Sequence, residues 1–272
     1  DGFYGVVQFA AAARDAGLPT VFGAELTLGA TKRPNGLADP EGEHLLVLAR
    51  GPAGYARLSS AISQANLRGR KGQPQLALED LADAHDNQWL VLTGCRKGRV
   101  PAGLAMGGLA GAERALDELL ATFGTDNVAV ELWHHCNPHD DQRNDALFSL
   151  ANKRGLPAVA TTNAHYAAPD RYQLAHAAAA IRARRDLATM DGWLPASPSA
   201  HLRSGAEQYR RFRAYPEVVA QAAEFAADLA FDLSLVAPRL PDFPVPHGHT
   251  EASYLRLLAE QGAERLYGPR DK

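Results

Sequence analysis

A chain of 272 residues that is 46% apolar and 22% charged carries enough apolar surface for a large core, which excludes a disordered or collagen-like polymer. Its 28 basic and 31 acidic side chains leave a formal charge of −3, so there is no global positive field for nucleic acid, and any such contact must be local. Two cysteines, Cys95 and Cys136, exclude a disulfide framework and fit a reducing, cytoplasmic setting, and no run approaches the ~20 apolar residues of a membrane span, so no membrane partner is expected. The chain opens on Asp1 rather than a methionine and ends in a turn-like Gly268-Pro269 after a helical pattern. It is therefore read as a piece of something longer.

In chain order, residues 3–16 repeat apolar side chains at helical spacing and are closed by Gly17, and 20–27 form a short strand-like run. A polar loop over 29–43 leads to a second strand at 44–49 (HLLVLA), after which Tyr55, Leu58, Ile62 and Ala65 recur at helical spacing within 53–67. Residues 89–93 are a third strand. A Gly/Ala-rich stretch precedes a helix at 112–123, and 127–133 (NVAVELW) read as a strand ending in His134, His135 and Cys136. A helix at 141–154 stops at Gly155, and a last strand at 157–161 runs into Thr162, Asn163, Ala164 and His165. This alternation predicts an α/β domain of parallel strands joined by helical crossovers. From Pro169 onward the pattern turns helical, over 171–184, 204–212, 216–231 and 251–267. Pro238, Pro241, Pro244 and Pro246 separate the last two with a stretch that is neither helix nor central strand. The expected division is an α/β part at 1–168, a helical remainder at 169–237, and a proline-rich tether with one further helix at 238–272.

Polar candidates gather where strands are predicted to end: Glu25 within the first, His134, His135 and Cys136 after NVAVELW, and Asn163 and His165 after the last. His44 differs, because it opens its strand. Side chains at the carboxyl ends of parallel strands converge on one mouth, and imidazole with carboxylate is a ligand set for zinc, manganese or iron, which points to metal-assisted hydrolysis. Against that, a histidine at a strand boundary is commonly just a half-buried, hydrogen-bonded side chain. Glu25 is the strongest single candidate, since a carboxylate within VFGAEL is costly unless paired or bound to metal. His85, His176, His201, His247 and His249 fall in loops or helices and read as surface residues. No Gly-x-Ser-x-Gly elbow occurs, and the glycines at 51–54 and 103–111 lack the spacing of a phosphate or dinucleotide loop. The basic groups Arg68-Gly69-Arg70-Lys71 and Arg182-Ala183-Arg184-Arg185 read as solvated faces, with local nucleic-acid contact as the alternative.

Taken together, DGFYGVVQFA, GLPTVFGAEL, HLLVLARGPAGYARLSSAIS, VELWHH, GLPAVATTNAHYA, YPEVVAQAAEFA and the tail PDFPVPHGHTEASYLRLLAEQGAERLYG resemble the amino-terminal PHP (polymerase and histidinol phosphatase) domain of bacterial C-family DNA polymerases. The resemblance runs along almost the whole chain and is nearest to the error-prone, polymerase III alpha-like branch. It implies a distorted (β/α)7 barrel, here incomplete at its amino end, with two or three metal ions that cleave phosphoesters. By position, Glu25 matches the family's GxE glutamate, His44 the strand-opening histidine, His135 the histidine after the ELW strand and His165 the last histidine of an Asp-x-His motif. Arg68 falls where active relatives carry histidine and is a candidate phosphate contact. Two departures stand out. The family's opening His-x-His and Asp-His pairs would lie upstream of Asp1, and Asn163 replaces the motif's aspartate with a weaker, neutral ligand.

The expectation is therefore a fragment of an error-prone, translesion-type DNA-directed DNA polymerase acting in replication and damage repair, with its catalytic aspartates beyond Lys272. Its PHP part would be a scaffold with a degenerate metal site at Glu25, His44, His135 and His165. The resemblance implies zinc or manganese there and magnesium for the polymerase, with primer-template DNA, deoxynucleoside triphosphates, translesion accessory proteins and the sliding clamp as partners. The alternative is an active PHP metallo-phosphoesterase, a 3′-5′ exonuclease or pyrophosphatase.

Overall fold

In the computed structural model, which describes residues 1–195, 197–233 and 242–269, five apolar runs pair into one sheet. They are β1 (Gly23–Leu28), β2 (Glu43–Ala49), β3 (Trp89–Leu92), β4 (Val128–Leu132) and β5 (Ala158–Ala160), hydrogen-bonded in chain order. β3 and β4 are buried at every position, as strands covered on both faces must be. On one face, Leu26, Val47, Val91 and Val130 pack against α2 (Gly51–Arg68), α3 (Leu78–His85), α4 (Arg99–Phe123) and α5 (Asp140–Arg154), through residues such as Leu58, Leu81, Leu116 and Leu147. On the other, Leu90, Leu92, Ala129 and Val159 meet Leu229 and Phe225 of α8 (Glu217–Leu229). α1 (Val6–Asp15), α6 (Tyr172–Ala183) and α7 (Gly205–Arg211) complete this unit, which spans Asp1–Leu235.

Strand direction departs from the parallel pattern. β1 pairs with β2 and β2 with β3 antiparallel, whereas β3–β4 and β4–β5 are parallel. The reason lies in the β2–β3 connection, which holds two helices packed on one another. A single crossover helix returns the chain to the end where the strand began. Here α2 carries the chain away from the end of β2 and α3, packed on it, carries it back, so β3 runs opposite to β2. α3 had no counterpart in the sequence reading; it is short, and Asp80 ties its start by accepting the Ala77 N–H at 2.9 Å. α4 begins at Arg99, earlier than expected: it is two helical segments joined by a kink at Gly107 and Gly108, and the expected helix corresponds to the second. The closed seven-stranded barrel is likewise not what the described residues form: their five strands make an open sheet with β1 and β5 as its edges.

The second unit, Val236–Lys272, contains α9 (Glu251–Tyr267), whose start is capped by Thr250 Oγ1 accepting the Ser253 N–H at 3.2 Å. Pro244 and Pro246 lie in irregular backbone ahead of it, while Pro238, Pro241 and the 237/238 boundary fall outside the described residues. Among the described residues, no helix is long and apolar enough to cross a membrane.

α2 comes close to β3 at Gly54, whose carbonyl accepts the buried Trp89 indole N–H at 2.8 Å. A Cβ on Gly54 would lie 2.2 Å from the Gln88 carbonyl oxygen. Gly54→Ala should therefore lift α2 from β3 and cost ~1–3 kcal/mol, a fall of several degrees in Tm by scanning calorimetry. An unchanged melt would contradict this contact.

Candidate metal centre

Because β2 runs against its neighbours, its first residues lie at the same end of the sheet as the last residues of β1, β3, β4 and β5. His44, which opens its strand, thus meets residues that follow the others. In the β1–β2 register Glu25 stands opposite Leu46, and His44, two residues before Leu46, is its diagonal neighbour on the same face. The Glu25 carboxylate approaches His44 Nδ1 to 3.1 Å. Its side chain is 45% exposed, so the burial cost read from the apolar run is incurred only in part, and buried Ala24, Leu26 and Leu28 alternate to the opposite face.

Sequence reasoning missed the third member. After β3 the chain turns tightly through Gly94 and Gly98, where a Cβ on Gly98 would lie 2.1 Å from the Thr93 carbonyl oxygen. This turn, held as His44 N–H donates to the Lys97 carbonyl at 3.0 Å, brings Cys95 Sγ to 3.3 Å from His44 Nδ1. Ligand atoms of Glu25, His44 and Cys95 all lie within 4.8 Å of one another, and they are the one such His/Cys/Asp/Glu group among the described residues. Carboxylate, imidazole and thiolate make a three-donor set that suits a single zinc ion with an open fourth position. Nothing in the spacing of Cys95 pointed to this, because the turn that positions it is set by the backbone.

Charge binds the cluster without an ion. Burial alone would lower His44, but the Cys95 sulfur and the Glu25 carboxylate outweigh it and push the imidazole up to about 9. The His44 hydrogen bond in turn holds Glu25 below its ordinary range. Beneath them, on the same face, Glu131 of β4 is fully buried, and its desolvated carboxyl is pushed up to about 7 despite the Thr161 hydroxyl donating to it at 2.5 Å. The sequence signal for Glu131 was the one used for Glu25, a carboxylate in an apolar run.

Glu25, His44, Asn163 and His165 line one cavity of about 770 Å3, together with Arg96 and Lys97. Asn163 holds a left-handed backbone at φ 41°. His135 lies alongside, its ring 5.9 Å from that of His165 and nearly perpendicular to it. Desolvation keeps both imidazoles below their ordinary value, outweighing the Thr162 carbonyl at His135 and the Glu25 carboxylate near His165, which raise them. His135 Nε2–H donates to the Thr162 carbonyl at 2.9 Å, which leaves Nδ1 as its lone-pair nitrogen. Arg68 is elsewhere. It ends α2, pairs with Asp80 at 2.6 Å and lines a separate cavity with Arg70 and Gln73. His176, read as a surface residue, lines the metal-site cavity and has a buried Nε2 with no hydrogen-bond partner.

The His135 segment is anchored by Asp140. This fully buried carboxylate accepts the His135 and Asn137 N–H groups at 2.7 and 3.0 Å and pairs with Arg143 at 2.6 Å. Arg143 stacks 3.7 Å above the Trp133 ring, and Asn144 donates to the Trp133 carbonyl at 3.0 Å.

A profile of the PHP domain matches residues 1–135. That stretch holds Glu25, His44 and Cys95, and ends on His135. Along nearly its whole length, that stretch included, the chain is 53% identical over 270 residues to error-prone DNA polymerases of Mycobacterium bovis and Mycobacterium tuberculosis, covering 99% of this chain. To an error-prone DNA polymerase of Cutibacterium acnes it is 51% identical over 98% of its length. The chain spans about a quarter of the length of these curated relatives, 25%, 24% and 24% respectively.

Two predictions follow the electrostatics of this region. His44, raised from 6.5 to about 9, adds stability that is complete below pH 6.5 and lost as pH rises through about 9; Glu25, depressed from 4.5, adds stability present above pH 4.5 and lost on acidification. In chelator-treated protein the His44 ring protons should titrate near pH 9 by NMR, and Glu25→Gln with Cys95→Ser should return the midpoint toward 6.5; an ordinary midpoint in the unsubstituted chain contradicts the cluster. Asp140→Asn strips the partner from a buried guanidinium and should cost about 3 kcal/mol at neutral pH in urea unfolding. The native Asp140 carboxyl is held below 3.8, so the gap between the two proteins should narrow as pH falls through its folded value; a gap independent of pH would show that its charge is not what stabilises.

Proposed function

We propose that this chain is the PHP region of an error-prone, translesion-type DNA-directed DNA polymerase that works in the cytoplasm during replication and damage repair. The observation that carries the proposal is 53% identity across 99% of the chain to relatives bearing that name. In this reading the parent enzyme adds deoxynucleotides to a primer with magnesium at its own catalytic centre, and meets DNA, deoxynucleoside triphosphates, translesion accessory proteins and the sliding clamp through its longer chain. Further strands beside β1 and β5 would close the open sheet toward a (β/α)7 barrel.

Within that enzyme the PHP region acts as a scaffold whose metal site is reduced to one ion, held by Glu25, His44 and Cys95, with His135 and His165 alongside. The thiolate favours zinc over manganese. Cleavage of phosphoesters by two or three ions needs bridging carboxylates to hold the ions close. Asn163 supplies an amide where such a carboxylate would serve.

Zinc titration of the chelator-treated protein should give one ion per chain. Cobalt in its place should show a thiolate charge-transfer band that Cys95→Ser removes. In the full-length enzyme, Cys95→Ser should lower Tm while leaving primer extension past an abasic site within about twofold. Several tightly held ions per chain, or hydrolysis of single-stranded 3′ ends that Glu25→Gln abolishes, would replace the scaffold with the phosphoesterase.

A further inference from the structure

A second cavity, of about 550 Å3, lies between the start of α5 and the α7–α8 connection. Arg210, Arg211 and Arg213 form one side of it. Among the described residues none of the three is in an ion pair with a carboxylate; Arg211 reaches the Cys136 sulfur instead. Behind Arg211 stands Arg203, whose Nη2 is buried without a hydrogen-bond partner, and whose charged form is disfavoured by burial first and then by Arg211. On the other side, Asp141 faces His134 at 3.2 Å, while Glu207 faces His201 at 3.3 Å. Four guanidiniums are thus gathered while two of the cavity's carboxylates, Asp141 and Glu207, are turned to histidines and a third, Asp145, stands on the acidic side. Like charges so gathered repel, and an anion bound among them would relieve that repulsion.

The shape of the cluster selects the anion. One guanidinium saturates both oxygens of a carboxylate, whereas several lining one cavity suit the oxygens of a phosphate group. The acidic side argues against a highly charged triphosphate and for the single charge of a phosphodiester. We propose that this cavity seats a backbone phosphodiester of single-stranded DNA, with Arg210, Arg211 and Arg213 on its non-bridging oxygens. The seat is separate from the Glu25–His44–Cys95 cluster and does not depend on any metal there. It rests on the polymerase reading only in the choice of DNA over another phosphodiester.

The test is fluorescence anisotropy of a labelled twelve-nucleotide oligothymidylate with the full chain in chelator, so that failure of the metal reading leaves it untouched. Arg210 and Arg213 are exposed, and the double variant Arg210→Ala/Arg213→Ala should keep its Tm. Its affinity should fall tenfold or more, and the slope of log affinity against log salt should shrink by about 1.4. The charge-matched control Arg70→Ala/Lys71→Ala, at a different cavity, should change affinity less than twofold. Unlabelled oligothymidylate should compete at far lower phosphate concentration than thymidine triphosphate or inorganic phosphate. An oligoribouridylate that competes equally well would leave the phosphodiester seat standing and overturn its assignment to DNA. Equal losses in the two double variants, no loss in the first, or equal competition by free phosphate would overturn the proposal.

Discussion

The reversal of β2 is the constraint on which the site depends. Had β2 run parallel to β3, His44 and its β1 neighbour Glu25 would lie at the far end of the sheet from Cys95, His135 and His165. The packed pair α2 and α3 turns the strand over. The close seat of α2 on β3 at Gly54 is accordingly part of the site's geometry, although Gly54 touches none of its residues. A helical layer on one face decides which side chains meet beyond the end of the strands.

Around that end, the described residues divide the work of holding charge. Glu25, His44 and Cys95 sit partly in solvent, where a carboxylate and an imidazolium offset each other and the thiol adds a further acceptor. Asp140 is handled in the opposite way. It is fully buried, and accordingly two backbone donors and a guanidinium satisfy it together. Glu131 follows a third course, with one strong hydroxyl donor and a carboxyl pushed toward neutrality at ordinary pH. Each solution fits its burial: the more solvent a carboxylate loses, the more donors or the proton it takes on.

Much of this was legible in the sequence. The five strands follow from short apolar runs and most helices from 3.6-residue spacing, and β2 and α9 end where the apolar spacing ends. Strand direction was not legible, because it depends on where the helices of a connection carry the chain, and α3 is too short and polar for its periodicity to stand out. The resemblance brought Glu25, His44 and His165 to one cavity in advance. Cys95 escaped it because the turn at Gly94 and Gly98, rather than any spacing of donors, carries the sulfur to His44. His176 was misjudged for a related reason: its helical setting suggested solvent, yet its helix covers the cavity.

A last consequence concerns how such a cluster behaves with and without an ion. An ion held by the proposed thiolate, imidazole and carboxylate would need a neutral His44, which would have to give up the proton that Glu25 and Cys95 help it to keep. Binding would therefore compete with an internal ion pair, which would weaken the site at low pH and strengthen it as pH rises. Without an ion the pair itself holds Glu25 and His44 at 3.1 Å. A catalytic centre gains little from a substitute for its metal. A region whose task is to brace a larger enzyme gains a fold that does not depend on metal supply.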